Sequence, residues 1–156
     1  PNFEAPLELR TIHPAPPSTA KIYGKRVNFL KLENPYRKIE KEDPEAFREL
    51  VNEGAAVYIE NCQYCHGDKL DGNGPYAAGL NPTPLNFQDV GTIAQLQESY
   101  LFWRITTGGP GLPKEAAPWI SSMPVWQDFL KEDEVWKVIL FLYDYTGHRP
   151  RSWEHE

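Results

Sequence analysis

Cys62-Gln63-Tyr64-Cys65-His66 is the stretch on which the reading of this chain turns. Two cysteines two residues apart, followed at once by a histidine, form the attachment signature of a c-type haem. The spacing has a chemical reason. On one turn of helix the two sulfurs reach the two vinyl groups on one edge of a porphyrin. The next residue, His66, then lies under the iron and offers an imidazole nitrogen as proximal ligand. The chain has 2 cysteines in all, so a single haem c uses both.

Other uses of the pair account for less. A structural zinc site wants four ligands, usually two such pairs, and only His13, His148 and His155 remain to complete one. A thioredoxin-like dithiol belongs in a βαβ setting, of which the chain shows no sign. A disulfide between the two cysteines leaves His66 idle.

Composition bounds the rest. A chain of 156 residues has the length of one domain with a compact core. Aromatic residues make up 13%, a high share that suits the lining of a large flat cofactor. The formal charge is −6, and haem propionates add to it. That excludes nucleic acid as a partner and favours a redox protein with a basic docking surface. No apolar run approaches membrane-spanning length. The numbering opens at Pro1 without an initiator methionine, and covalent haem attachment takes place outside the cytoplasm in bacteria. The expectation is a removed export signal or membrane anchor and a periplasmic or otherwise extracytoplasmic location.

Residues 1–42 read as an extended Pro-rich arm. Pro1, Pro6, Pro14, Pro16 and Pro17 forbid regular helix at its start. Tyr23, Val27, Phe29, Leu30, Leu32 and Tyr36 are too apolar for a disordered tail, so the arm lies against something. A domain over 43–147 and a tail over 148–156 follow. Asp43-Pro44 pairs an N-cap acid with proline at the first helical position. From there Phe47, Leu50, Val51, Gly54, Tyr58 and Cys62 form one apolar stripe at helical spacing. Gly54 in mid-helix costs about 1 kcal/mol relative to alanine, which points to close approach of another helix.

Gly67 to Gly91 is loop, broken by glycine and proline. Thr92-Ile93-Ala94-Gln95 reads as a capping box opening a helix to about Thr107, where Gly108-Gly109-Pro110 stops it. After a second loop and Met123-Pro124, the last helix starts at Lys131-Glu132-Asp133-Glu134 and runs to about Tyr145. No strand alternation is visible, and the fold class is all-α.

Met123 is the only methionine. It lies between helices, after Ser121-Ser122, and is followed by a proline that stiffens the backbone. A thioether suits low-spin haem iron and raises the reduction potential relative to a second imidazole. Met123 is therefore the candidate distal ligand, with His13 or His148 as the fallback.

Taken together, these pieces resemble a class I monohaem cytochrome c over roughly residues 44–147. The resemblance is carried by Gly54-x3-Tyr58-x3-Cys62-x2-Cys65-His66-Gly67, by Gly72-Asn73-Gly74-Pro75, by Met123-Pro124-x-Trp126-x3-Leu130, and by Glu134-Val135-Trp136-Lys137-Val138-Ile139-Leu140-Phe141. It implies first and last helices that cross at Gly54, with Phe141 packed on it. It also implies a proline carbonyl that accepts from the ring N–H of His66. Pro75 fits by spacing, with Pro82 and Pro84 as rivals, and such a bond raises ligand basicity. Trp103 and Arg104 are candidates for the haem propionates; a core tryptophan and a surface arginine are the alternative.

The chain departs from the plain pattern in its arm and in its last helix. Between Val135 and Tyr145 only Lys137, Asp144 and the phenol tips are polar, and a helix apolar all round is covered all round. The expected cover is the segment over 20–36, folded back; the alternative is a loose linker and a partner protein over the helix. The functional expectation is a non-enzymatic single-electron carrier with one haem c on His66 and Met123, docked in a larger respiratory complex. Its rival is a haem enzyme or a gas or peroxide sensor from which Met123 departs.

Overall fold

In the computed structural model of the chain, which describes residues 16–80, 84–88, 93, 96–111 and 123–151, helix α2 (Pro44–Asn61) is capped by Asp43. The Asp43 carboxylate accepts from the Ala46 N–H, with Pro44 at the first helical position. The cap satisfies a donor that the helix leaves open, and proline loses nothing where no bond is made. Phe47, Val51, Gly54, Val57 and Tyr58 form its buried face. Helix α5 (Glu132–Thr146) crosses that face. At the crossing a Cβ on Gly54 would run into the main-chain carbonyl of Lys137, so the two backbones touch there. Phe141, expected on the glycine, instead sets its ring 5.3 Å from that of Tyr58, one turn further along both helices.

Helix α5 buries Val135, Trp136, Val138, Ile139, Leu140, Leu142 and Tyr143. Helix α4 (Glu98–Thr107) covers part of it, with the Phe102 ring stacked 4.1 Å from Trp136. Helix α4 begins at Glu98 rather than at the expected capping box, of which Thr92, Ala94 and Gln95 lie outside the described residues. Gln97 is still extended, at φ −90° and ψ 155°. The Leu96 carbonyl is turned sideways to accept from the Tyr143 phenol at 2.8 Å and the Arg151 N–H at 3.3 Å. These tertiary bonds hold the chain out of helix until Glu98.

The described part of the N-terminal segment is not an extended arm. Strands β1 (Thr19–Ile22) and β2 (Lys25–Asn28) pair antiparallel, Thr19 with Asn28 and Ile22 with Lys25. Tyr23 and Gly24 join them at φ 52° and 74°, as a two-residue hairpin turn of the primed kind requires. A short helix α1 (Ile39–Glu42) follows. The strands escape a sequence reading because each is four residues long and the turn lacks the usual Asn-Gly or Asp-Gly signal. Ile22 and Phe29 enter the same core as Val135 and Ile139. Tyr36 and Ile39 pack on Phe47, Val51 and Leu140. Leu30, expected among the covering residues, stays 70% exposed. The apolar α5 is thus covered by α2, α4 and residues of this segment. Residues 1–15, with His13 and the first three prolines, lie outside the described residues. Among the described residues no helix is long and apolar enough to cross a membrane.

Candidate haem site

The cysteines and the histidine sit on one short helix, α3 (Gln63–His66), that continues from the end of α2. The Cys62 N–H donates to the Tyr58 carbonyl at 2.8 Å, and the His66 N–H to the Cys62 carbonyl at 3.0 Å. One turn therefore presents all three side chains, which is what the spacing of the motif predicts. Cys62 and Cys65 are half-buried and not disulfide-bonded. Burial, with Cys65 close by, pushes the Cys62 thiol up to about 12, and burial raises Cys65 as well. The Tyr58 phenol closes the turn by donating to the Gly67 carbonyl at 2.6 Å.

The imidazole of His66 is held on two sides. Its Nδ1 lies 3.2 Å from the carbonyl oxygen of Leu85. A carbonyl only accepts, so Nδ1 carries the proton and Nε2 keeps its lone pair for a metal. Phe87 stacks on the ring at 4.7 Å and 29°. Phe87 is itself pinned by its N–H to the Leu70 carbonyl at 2.8 Å. Burial lowers the pKa of His66, partly offset by the bond to Leu85, so the neutral, ligating form prevails at pH 7.

Pro75, the carbonyl expected in this role, does not fill it. It is exposed and sits in a segment that caps the main-chain carbonyls of the motif rather than its ring. Gly72, Gly74 and Tyr76 donate to the carbonyls of His66, Cys65 and Tyr64 at 2.8, 3.0 and 2.8 Å. The ring partner must come from elsewhere, and the chain returns at Leu85. Pro84 immediately precedes it; Pro82 lies outside the described residues.

Met123 is half-buried and packs on the same core as Cys62 and Leu85. Its carbonyl accepts from the Gly109 N–H at 2.9 Å. At Gly108, φ is +59° and a Cβ would run into the carbonyls of Pro124 and Met123. Only glycine allows both the turn and the contact, so the end of α4 anchors the methionine. Trp103 is buried, edge-on to Tyr100 at 5.6 Å. Arg104 lies 5.4 Å over the Trp103 ring and donates from Nη1 to the Gly108 carbonyl at 2.9 Å. Burial lowers its pKa.

The donor set is two thiols, a neutral imidazole of defined tautomer and a thioether. It suits an iron porphyrin. Among the described residues no three of His, Cys, Asp and Glu gather as they would for a zinc site; His155, like His13, lies outside them. Leu85, Phe87, Tyr58 and Gly108 were not among the expected site residues. A main-chain carbonyl leaves no mark on the sequence.

Two crossing helices, the first delivering a Cys-x-x-Cys-His turn, define the class I type of c-type cytochrome, an all-α electron-transfer domain that holds haem c. The chain belongs to the family described as cytochrome c oxidase, cbb3-type, subunit III, whose profile matches residues 49–142. Comparison with curated proteins gives no match. Among solved structures, the chain is similar to one from the Kuenenia stuttgartiensis reducing HAO-like protein complex Kustc0457/Kustc0458. Identity is 22% and the TM-score 0.48, over 62% of this chain and 44% of that one. The chain thus spans less than half the length of that relative.

Proposed function

We propose that the protein is a one-electron carrier with a single haem c bound through thioethers from Cys62 and Cys65. His66 and Met123 would ligate its iron. It works on the extracytoplasmic side as a subunit or docked partner of a larger respiratory complex. The observation that carries this reading is the neutral His66, its Nδ1 committed to Leu85 one residue beyond two half-buried thiols.

Haem supplies the one-electron couple of its iron. Cys62 and Cys65 would hold the haem through their sulfurs, and His66 would offer Nε2 to its iron. The Leu85 carbonyl raises the basicity of His66, and the Met123 sulfur favours Fe(II). Phe87, stacked on the imidazole, shields one of its faces. With His66 and Met123 both given to the iron, no ligand position would remain for a substrate, which favours a carrier over an enzyme. The oxidase subunit named in the family description and the charge of −6 both support a redox partner with a basic docking face.

Intact-mass measurement of the purified protein tests the attachment. The wild type should carry the mass of one haem, and the Cys62→Ala/Cys65→Ala protein should release its haem into acidic solvent. Retention of covalent haem by the double variant rules the assignment out. Met123→Ala should lose the weak far-red band of a ferric methionine-ligated haem and fall in potential. Rapid carbon monoxide binding by the reduced wild type would favour a haem enzyme or gas sensor instead.

A further inference from the structure

Tyr23 is one of two described non-glycine residues at positive φ, a conformation that is strained for a side chain and persists only where the surroundings impose it. The hairpin turn requires it, and two bonds hold the residue there. The Tyr23 N–H donates to Gln127 Oε1 at 3.1 Å, and its phenol donates to the Leu130 carbonyl at 2.6 Å. Both acceptors lie in residues 123–130, the strap between Met123 and α5. The other end of that strap is the Gly108–Gly109 anchor. Between the two ends it contains one turn of 3-10 helix, Trp126–Asp128, closed by Phe129 N–H to the Trp126 carbonyl at 3.0 Å. A segment with so little regular structure takes its position from what grips it.

We propose that Tyr23 is a positioning residue for the iron ligand Met123, the N-terminal hairpin serving as a brace that fixes the far end of the methionine strap. The inference rests on Met123 being the distal ligand. An uncharged thioether competes for ferric iron with any nitrogen base in solution, and its advantage is the local concentration that a fixed backbone confers. Loosening either end of the strap lowers that concentration. Burial, and then Glu132, Glu134, Asp133 and Asp128, push the Tyr23 phenol up to about 12, so it stays a donor throughout the neutral range. The hairpin lies outside residues 49–142. The brace is therefore an addition to the matched domain.

The test uses the full haem-loaded chain and added imidazole, which must displace the sulfur to bind ferric iron. Tyr23→Phe removes the phenol bond alone, and Gln127→Ala removes the acceptor of the Tyr23 N–H. Each should bind imidazole roughly three- to tenfold more tightly than wild type, the weight of one hydrogen bond, and lose the far-red band at lower imidazole. Lys25→Ala is the control. It breaks the exposed Lys25–Glu132 pair at 3.1 Å on the same hairpin without touching the strap, and should leave imidazole affinity unchanged. A far-red band that survives Met123→Ala overturns the ligand reading and the brace with it. If Met123→Ala abolishes the band while both strap variants bind imidazole as wild type does, the ligand stands and the brace is overturned. An equal shift in Lys25→Ala overturns it too, since the hairpin would then act only through general stability.

Discussion

Arg37 meets Glu98 edge-on, Nε to Oε1 at 3.0 Å and Nη2 to Oε2 at 3.1 Å. Glu98 is 8% exposed, in the first turn of α4, where a carboxylate also complements the helix dipole. Asn34 donates from Nδ2 to the same carboxylate at 2.7 Å and to the Trp136 carbonyl at 3.2 Å. The pair ties the N-terminal segment to α4 and α5 at one point. Arg37→Ala would leave a buried carboxylate without its charge partner, which typically costs about 3–5 kcal/mol. Denaturant unfolding should show a loss of that order. Arg37→Met/Glu98→Leu should recover most of it, because an apolar pair needs no charge partner; a double variant no better than Arg37→Ala would refute the account.

Gly54→Ala places a methyl group against the Lys137 carbonyl. Backbone cannot give way as a flexible side chain can, so α2 and α5 must separate. Overpacking of this kind costs about 1–3 kcal/mol, against a gain of about 1 kcal/mol in helix propensity. Thermal unfolding should show a net fall in Tm; a rise would mean that the crossing is looser than the structure has it.

Phe87→Ala removes the ring stacked on His66 and opens a space in the core. A loss of about 3–5 kcal/mol is the usual scale for such a truncation. Phe87→Leu should keep much of the packing but not the flat contact. The informative measurement is acid release of the iron ligand, followed by the haem spectrum as pH falls. His66 in Phe87→Leu should protonate and leave the iron at higher pH than in wild type.

Alkaline stability follows from the phenols. Burial and neighbouring carboxylates push Tyr23 up to about 12, and burial does the same for Tyr100. Burial raises Tyr58 and Tyr143 further. A folded value above the unfolded one of about 10 means that the neutral phenol stabilises the fold. That contribution is whole below about pH 10 and is lost as pH climbs through about 12. Unfolding free energy should therefore be flat with respect to these groups near neutrality and fall above about pH 10. In Tyr23→Phe the fall should be shallower; an unchanged slope would show that Tyr23 does not contribute.

The residues that chemistry needs close together in sequence were legible there. Cys62, Cys65 and His66 share one turn, and the Asp43-Pro44 cap is equally local, so spacing alone implies their geometry. The composition of α5 announced a missing cover, because an apolar surface has to be buried somewhere. The apolar residues of 20–36 named the segment that supplies part of that cover, but the form that segment takes was decided by tertiary structure. The hairpin rests on two short strands and a Tyr-Gly turn that no pattern of alternation marks. The start of α4 was set at Glu98 by the Tyr143 bond to the Leu96 carbonyl and the Arg37 bond to Glu98, which join residues 47 and 61 positions apart. The partner of His66 proved to be Leu85 rather than Pro75. Every residue has a carbonyl, and which one reaches the imidazole depends on where Phe87 pins the returning chain. Side-chain identity is written in the sequence, whereas the use of the backbone as a ligand's partner, a helix stop or a contact surface exists only once distant segments have met.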